Sequence, residues 1–119
     1  LTPPSPHAGE RFASPASVDV ELHFEDAGYA NELFGPRNAN LDRLARLSGL
    51  RLSSRGSTVG ISGDGEKAGL VQDLLAQLYR LLRSGTKLHP RDLEHAYSIL
   101  ERKPGSDLAN LFRDAVFSS

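Results

Sequence analysis

The feature that most constrains the fold of this chain is the way its apolar period changes along its length. Val18, Val20, Leu22 and Phe24 alternate with Asp19, Glu21 and His23, the period of two of a strand with one buried face. From Ala27 the spacing becomes helical. Ala30, Leu33 and Phe34 would face inward on a helix over 27–34, capped by Asp26 and stopped by Gly35-Pro36. Asn38 or Asn40 starts a second helix on which Leu41, Leu44 and Leu47 recur, and Gly49 ends it because glycine takes the left-handed conformation cheaply. Leu50 and Leu52 return to the strand period, Arg55-Gly56-Ser57 turns the chain, and Val59 and Ile61 continue in a third strand.

Gly63-Asp64-Gly65 interrupts the sheet pattern, and a long helix over 66–83 follows. Its stripe of Leu70, Val71, Leu74, Leu75, Leu78, Leu81 and Leu82 keeps the helical period. Gly85 ends that helix, and Pro90 suits the first turn of another bearing Leu93, Ala96, Tyr97 and Leu100. Pro104-Gly105 ends this one, and Ser106 is placed to cap a last short helix containing Leu108, Leu111 and Phe112. The pattern predicts an α+β domain in the order β-α-α-β-β-α followed by two extra helices. Its three-stranded sheet is covered on one face by helices, with Leu74 and Leu78 against Val20, Leu22, Val59 and Ile61.

Residues 1–16 hold Pro3, Pro4, Pro6 and Pro15 with little to bury, which predicts a disordered leader. Cysteine is absent, so disulfides and thiolate metal sites are excluded. No apolar run suits a bilayer and the start lacks a signal-peptide pattern, which predicts a cytoplasmic protein with no membrane partner. The chain has no Met and does not begin with one, as expected of a piece of a longer protein.

The net charge of −1 argues against a strongly basic nucleic-acid binder, but its distribution is uneven. Asp19, Glu21, Glu25, Asp26 and Glu32 precede Gly35-Pro36, and Arg37, Arg43, Arg46, Arg51 and Arg55 follow it against the single Asp42. A phosphate-binding surface suits that change of sign; solvated faces are the simpler alternative, and both stay open.

No catalytic or metal set emerges. His7 lies in the leader, His23 sits among acids on a polar strand face, and His89 and His95 do not share a helix face closely. No HExxH or GxSxG occurs, and Asp92 and Glu94 read as acids favoured at a helix start. Gly63-Asp64-Gly65 is not a phosphate loop, because no GxxxxGK[ST] is present.

The run Leu33-Phe34-Gly35-Pro36-Arg37-Asn38-Ala39-Asn40-Leu41-Asp42-Arg43-Leu44, followed by Gly49-Leu50-Arg51-Leu52, resembles the signature of type I KH domains. Its apolar positions match, and Val59-Gly60-Ile61-Ser62-Gly63 is similar to the third KH strand. The departure is Asn38, which stands at the second glycine of GxxG. Asn tolerates the left-handed conformation better than most residues, so the turn survives with added bulk. More broadly, Glu21-Leu22-His23-Phe24, Leu33-Phe34-Gly35, Asn40-Leu41, Leu88-His89-Pro90-Arg91-Asp92-Leu93 and 107–112 resemble the N-terminal domain of PhoH-like proteins.

The resemblance implies a KH-like domain over 17–84 and a helical extension over 85–119 leading towards a P-loop ATPase domain outside this sequence. It implies a bacterial cytoplasmic parent that binds ATP with Mg, linked to RNA metabolism and phosphate starvation, and no cofactor in this fragment. The implied partners are single-stranded RNA, the parent's own ATPase domain, and an RNase or RNA-processing protein. The implied nucleic-acid-binding residues are Gly35, Pro36, Arg37, Asn38, Asn40, Arg43 and Arg51, with glycine admitting a close backbone and the helix N-terminus favouring phosphate. The alternative is a protein-interaction or assembly domain with a degenerate loop and no RNA binding.

Overall fold

A computed structural model describes residues 17–109. Strand β1 (Ser17–His23) leads into helix α1 (Ala27–Phe34), a single 3-10 turn (Pro36–Asn38) and helix α2 (Ala39–Ser48). Strands β2 (Arg51–Arg55) and β3 (Thr58–Asp64) form a hairpin, followed by the long helix α3 (Gly65–Arg83) and by α4 (Pro90–Arg102). The sheet is antiparallel in the order β1-β3-β2, so β1 and β2 are both edge strands.

Register decides which side is buried. Val20 pairs with Ile61 and Leu22 with Val59 across β1 and β3, while Leu52 opposes Ile61 on the other flank. These residues share the face beneath the helices, where Val59 and Ile61 are fully buried with Leu74 and Leu78 of α3 in one cluster. Val20, Leu22 and Leu52 are half-buried against it. The alternate residues Asp19, Glu21, Arg51, Ser53 and Arg55 occupy the opposite, solvated face, the usual division for an antiparallel sheet. Leu93, Ala96, Tyr97, Leu100 and Leu108 belong to the same buried cluster, so α4 packs into the one core. No described helix is long and apolar enough to cross a membrane.

Four local expectations need correction. Val18 was placed inward by its alternation but is 37% exposed, because its partner across the sheet is Gly63, which offers no side chain to pack against. Leu47 is 39% exposed. A strict three-residue spacing drifts about 60° per step round a helix, which carries Leu47 off the face shared by Leu41 and Leu44. The Gly63-Asp64-Gly65 stretch does not interrupt the sheet: β3 runs to Asp64, which pairs with Ser17 and then caps α3 by accepting from the Lys67 N–H at 3.0 Å. Ser106 is not the cap of a last helix, since its hydroxyl donates back to the Lys103 carbonyl, while Asp107 accepts from the Ala109 N–H. The leader over 1–16, and Leu111 and Phe112, lie outside the described residues.

Candidate functional site

The junction between α1 and α2 is anchored at both roots. At the α1 end, Asp26 caps the helix by accepting from the Tyr29 N–H at 3.1 Å. The Asp26 N–H donates to the Tyr79 hydroxyl at 2.8 Å, tying the start of α1 to the long helix. Phe34, the last residue of α1, is buried in an aromatic cluster in which Phe24 lies 6.1 Å from its ring and 4.7 Å from that of Tyr79. The chain therefore leaves α1 from a fixed point.

Gly35 then turns with φ 82° and ψ 168°, a region open essentially to glycine. Its N–H donates to the Asn31 carbonyl at 3.0 Å. Pro36 begins the 3-10 turn, and Arg37 and Asn38 both take the left-handed conformation, at φ 55° and 60°. Asn38 was expected to tolerate this; that Arg37 shares it has no signal in the sequence. Two such non-glycine residues in succession cost on the order of 1–3 kcal/mol each and persist only where their surroundings hold them.

Here the surroundings are specific. The Asn38 side-chain amide donates to the Ser54 hydroxyl on β2 at 2.8 Å, and the Asn40 amide donates to the Leu33 carbonyl at 3.0 Å. The Asn38 N–H closes on the Gly35 carbonyl and the Ala39 N–H on that of Pro36. Asn38 sits where a helix cap would, yet its side chain does no capping. Asn31, Phe34, Gly35, Pro36, Arg37 and Asn38 line a cavity of about 450 Å³ that opens to solvent.

The seven residues proposed from sequence are spread over more than one face of the structure. Gly35, Pro36, Arg37 and Asn38 form the loop, and Asn40 holds it to the end of α1. Arg43 is drawn aside into an ion pair with Glu94 of α4. Arg51 projects on the helix-free face of the sheet, beside Ser62 of β3. Among the described residues the ion pairs are Arg43–Glu94 and Lys67–Glu101, and neither involves Arg37. Ser54 was not singled out from sequence, and Glu94 was read there only as an acid at a helix start, not as the partner of Arg43. Ser54 shares the inward register of Leu52, but nothing in the chain announces its bond to Asn38.

A second cavity, of about 420 Å³, lies between the start of α3 and the end of α4 and is lined by Lys67, Leu70, Leu100, Glu101 and Pro104 among others. Glu66 and Asp73 also line it, and its lysine is paired, with Lys67 Nζ 2.5 Å from Glu101 Oε2, which holds the ammonium pKa above its ordinary value. Among the described residues no group of three or more His, Asp or Glu stands where it could hold a metal ion.

Fold and site together define an α+β module in which, among the described residues, the non-glycine residues in left-handed backbone, Arg37 and Asn38, both lie in the Gly35–Asn38 loop between two helices. No family model matches the chain. It is similar to the PhoH-like protein of Bacillus subtilis (strain 168), with 25% identity over 87 residues. That alignment covers 73% of this chain and 27% of that protein, so the chain spans about a quarter of its relative's length.

Proposed function

We propose that this chain is a type I KH-like module that grips single-stranded RNA by its phosphate backbone at the Gly35–Asn38 loop, within a cytoplasmic parent resembling PhoH-like proteins. The fragment itself is non-catalytic, and ATP with Mg belongs to a P-loop domain of that parent. The observation that carries the reading is the loop. Gly35 keeps side-chain bulk out of the turn, Arg37 offers a guanidinium with no described carboxylate as partner, and the first amides of α2 begin directly behind it. The similarity to the Bacillus PhoH-like protein supports the same parentage.

The test is a variant that reverses the loop's charge. Pro36→Asp with Arg37→Asp places two carboxylates where phosphate would lie, at positions exposed to solvent and outside the core. Binding of short single-stranded RNA should vanish while the circular dichroism spectrum and melting temperature stay close to wild type. RNA binding that survives the double change overturns the reading.

An assembly role, with docking against the parent's ATPase domain or an RNA-processing protein, is favoured by three observations. Asn38 is bonded to β2, Glu94 neutralises Arg43, and Asp42 already sets a carboxylate in the first turn of α2. On this reading, deleting the module from the parent disturbs assembly more than ATP turnover.

A further inference from the structure

The bond from Asn38 to Ser54 joins the loop to the edge strand β2. Both partners are half-buried, and among the described residues β2 has no strand on its outer side. A strand of nucleic acid that crossed the loop towards β2 would have to pass this bond. Ser53 and Arg55 point to the opposite face, so among the described residues of β2 it is Ser54 that bridges to the loop. The bond also holds one of the two consecutive left-handed residues, so releasing it frees Arg37 and Asn38 to move towards less strained backbone.

We infer that Ser54 is a functional residue of this site: with Asn38 it forms a latch that pins the loop to β2, and RNA binds by opening it. This rests on the RNA reading above. The latch opposes binding by the worth of one neutral hydrogen bond, so removing it should tighten RNA binding roughly twofold to tenfold. A closed state favoured by so little would open often enough for ligand to enter, with the apparent affinity reduced by the fraction closed.

The experiment compares wild type with Ser54→Ala, Asn38→Gly and, as a control on the other sheet face, Ser53→Ala. Two readouts are taken: affinity for a labelled single-stranded RNA of about ten nucleotides, and NMR relaxation dispersion of the amides of residues 36–40 in the free protein. Ser54→Ala should tighten binding and change the dispersion of the loop, and Ser53→Ala should do neither. Asn38→Gly should tighten binding at least as much, and adding Ser54→Ala to it should give no further gain, because the bond is already gone. Unchanged loop dispersion in Ser54→Ala overturns the latch, whatever the RNA result. Altered dispersion with unchanged or weaker RNA binding shows a latch that does not gate RNA, and overturns the inference. If no variant binds RNA at all, the RNA reading fails and the gating role falls with it, while the dispersion still reports whether the latch exists.

Discussion

A β-carbon at Gly35 would stand 2.9 Å from the side chain of Asn40 and 3.0 Å from its backbone nitrogen. The Asn40 amide cannot easily retreat, because it donates to the Leu33 carbonyl. Gly35→Ala therefore meets both a steric and a backbone penalty and should destabilise the domain by about 1–3 kcal/mol in urea unfolding. Gly35→Ala in an Asn40→Ala background should cost less than the two single changes added together, because the second change vacates the space the first needs.

Tyr79 links the long helix to the start of α1 through one hydrogen bond. Tyr79→Phe keeps the ring that packs 4.7 Å from Phe24 but leaves the Asp26 N–H without its acceptor. The bond is only part-buried, so the expected loss is about 0.5–1.5 kcal/mol, the net worth of one hydrogen bond, read as a shift of the urea midpoint.

The arginines should separate cleanly in RNA titrations. Arg43 is held by Glu94 and Arg51 lies on the far face of the sheet, so replacing either with Ala should change affinity less than Arg37→Ala does. Glu94→Gln should restore to Arg43 some ability to contact phosphate, visible as a steeper dependence of affinity on salt. An equal loss for all three alanine variants would instead mean one continuous basic surface.

The Lys67–Glu101 pair gives a pH signature. Its ammonium is held above the ordinary lysine value by the Glu101 carboxylate, against a smaller opposing effect of burial. A raised folded value means that the pair's contribution is fully present below the unfolded lysine value of roughly 10.4 and is lost as pH rises through the folded one. Lys67→Met should thus be modestly less stable than wild type at neutral pH, and the gap should close in strongly alkaline buffer. With both side chains more than a third exposed, the gap should stay within about 1 kcal/mol.

Much of the architecture was legible because it depends on period and on cap chemistry. The alternation of Val20 and Leu22, the Asp26 and Gly49 helix ends, and the leucine stripe of α3 each specify a local structure that burial then selects. The errors came where one signal was extended past its reach. Alternation placed Val18 inward without knowing that Gly63 would face it, and triplet leucines placed Leu47 on a face that the helical twist leaves behind.

The candidate site was legible only as a loop. Gly35, Pro36 and Asn38 announce a turn by their own conformational preferences, so their neighbourhood could be read from residues in sequence. Its partners could not: Ser54 is 16 residues from Asn38, and Glu94 is 51 from Arg43. That Glu94 neutralises Arg43 depends on where α4 packs, and no local pattern encodes that docking.

The most direct test of the central claim is the affinity of the domain for short single-stranded RNA, followed across salt concentration for wild type and Arg37→Ala. If the loop grips phosphate, log affinity should fall linearly with log salt, and Arg37→Ala should weaken binding to all sequences alike and lower the slope by about one counterion's worth, roughly 0.7 for a single strand. A slope unchanged by Arg37→Ala, or no salt-sensitive binding by wild type even at high micromolar protein, would contradict the claim.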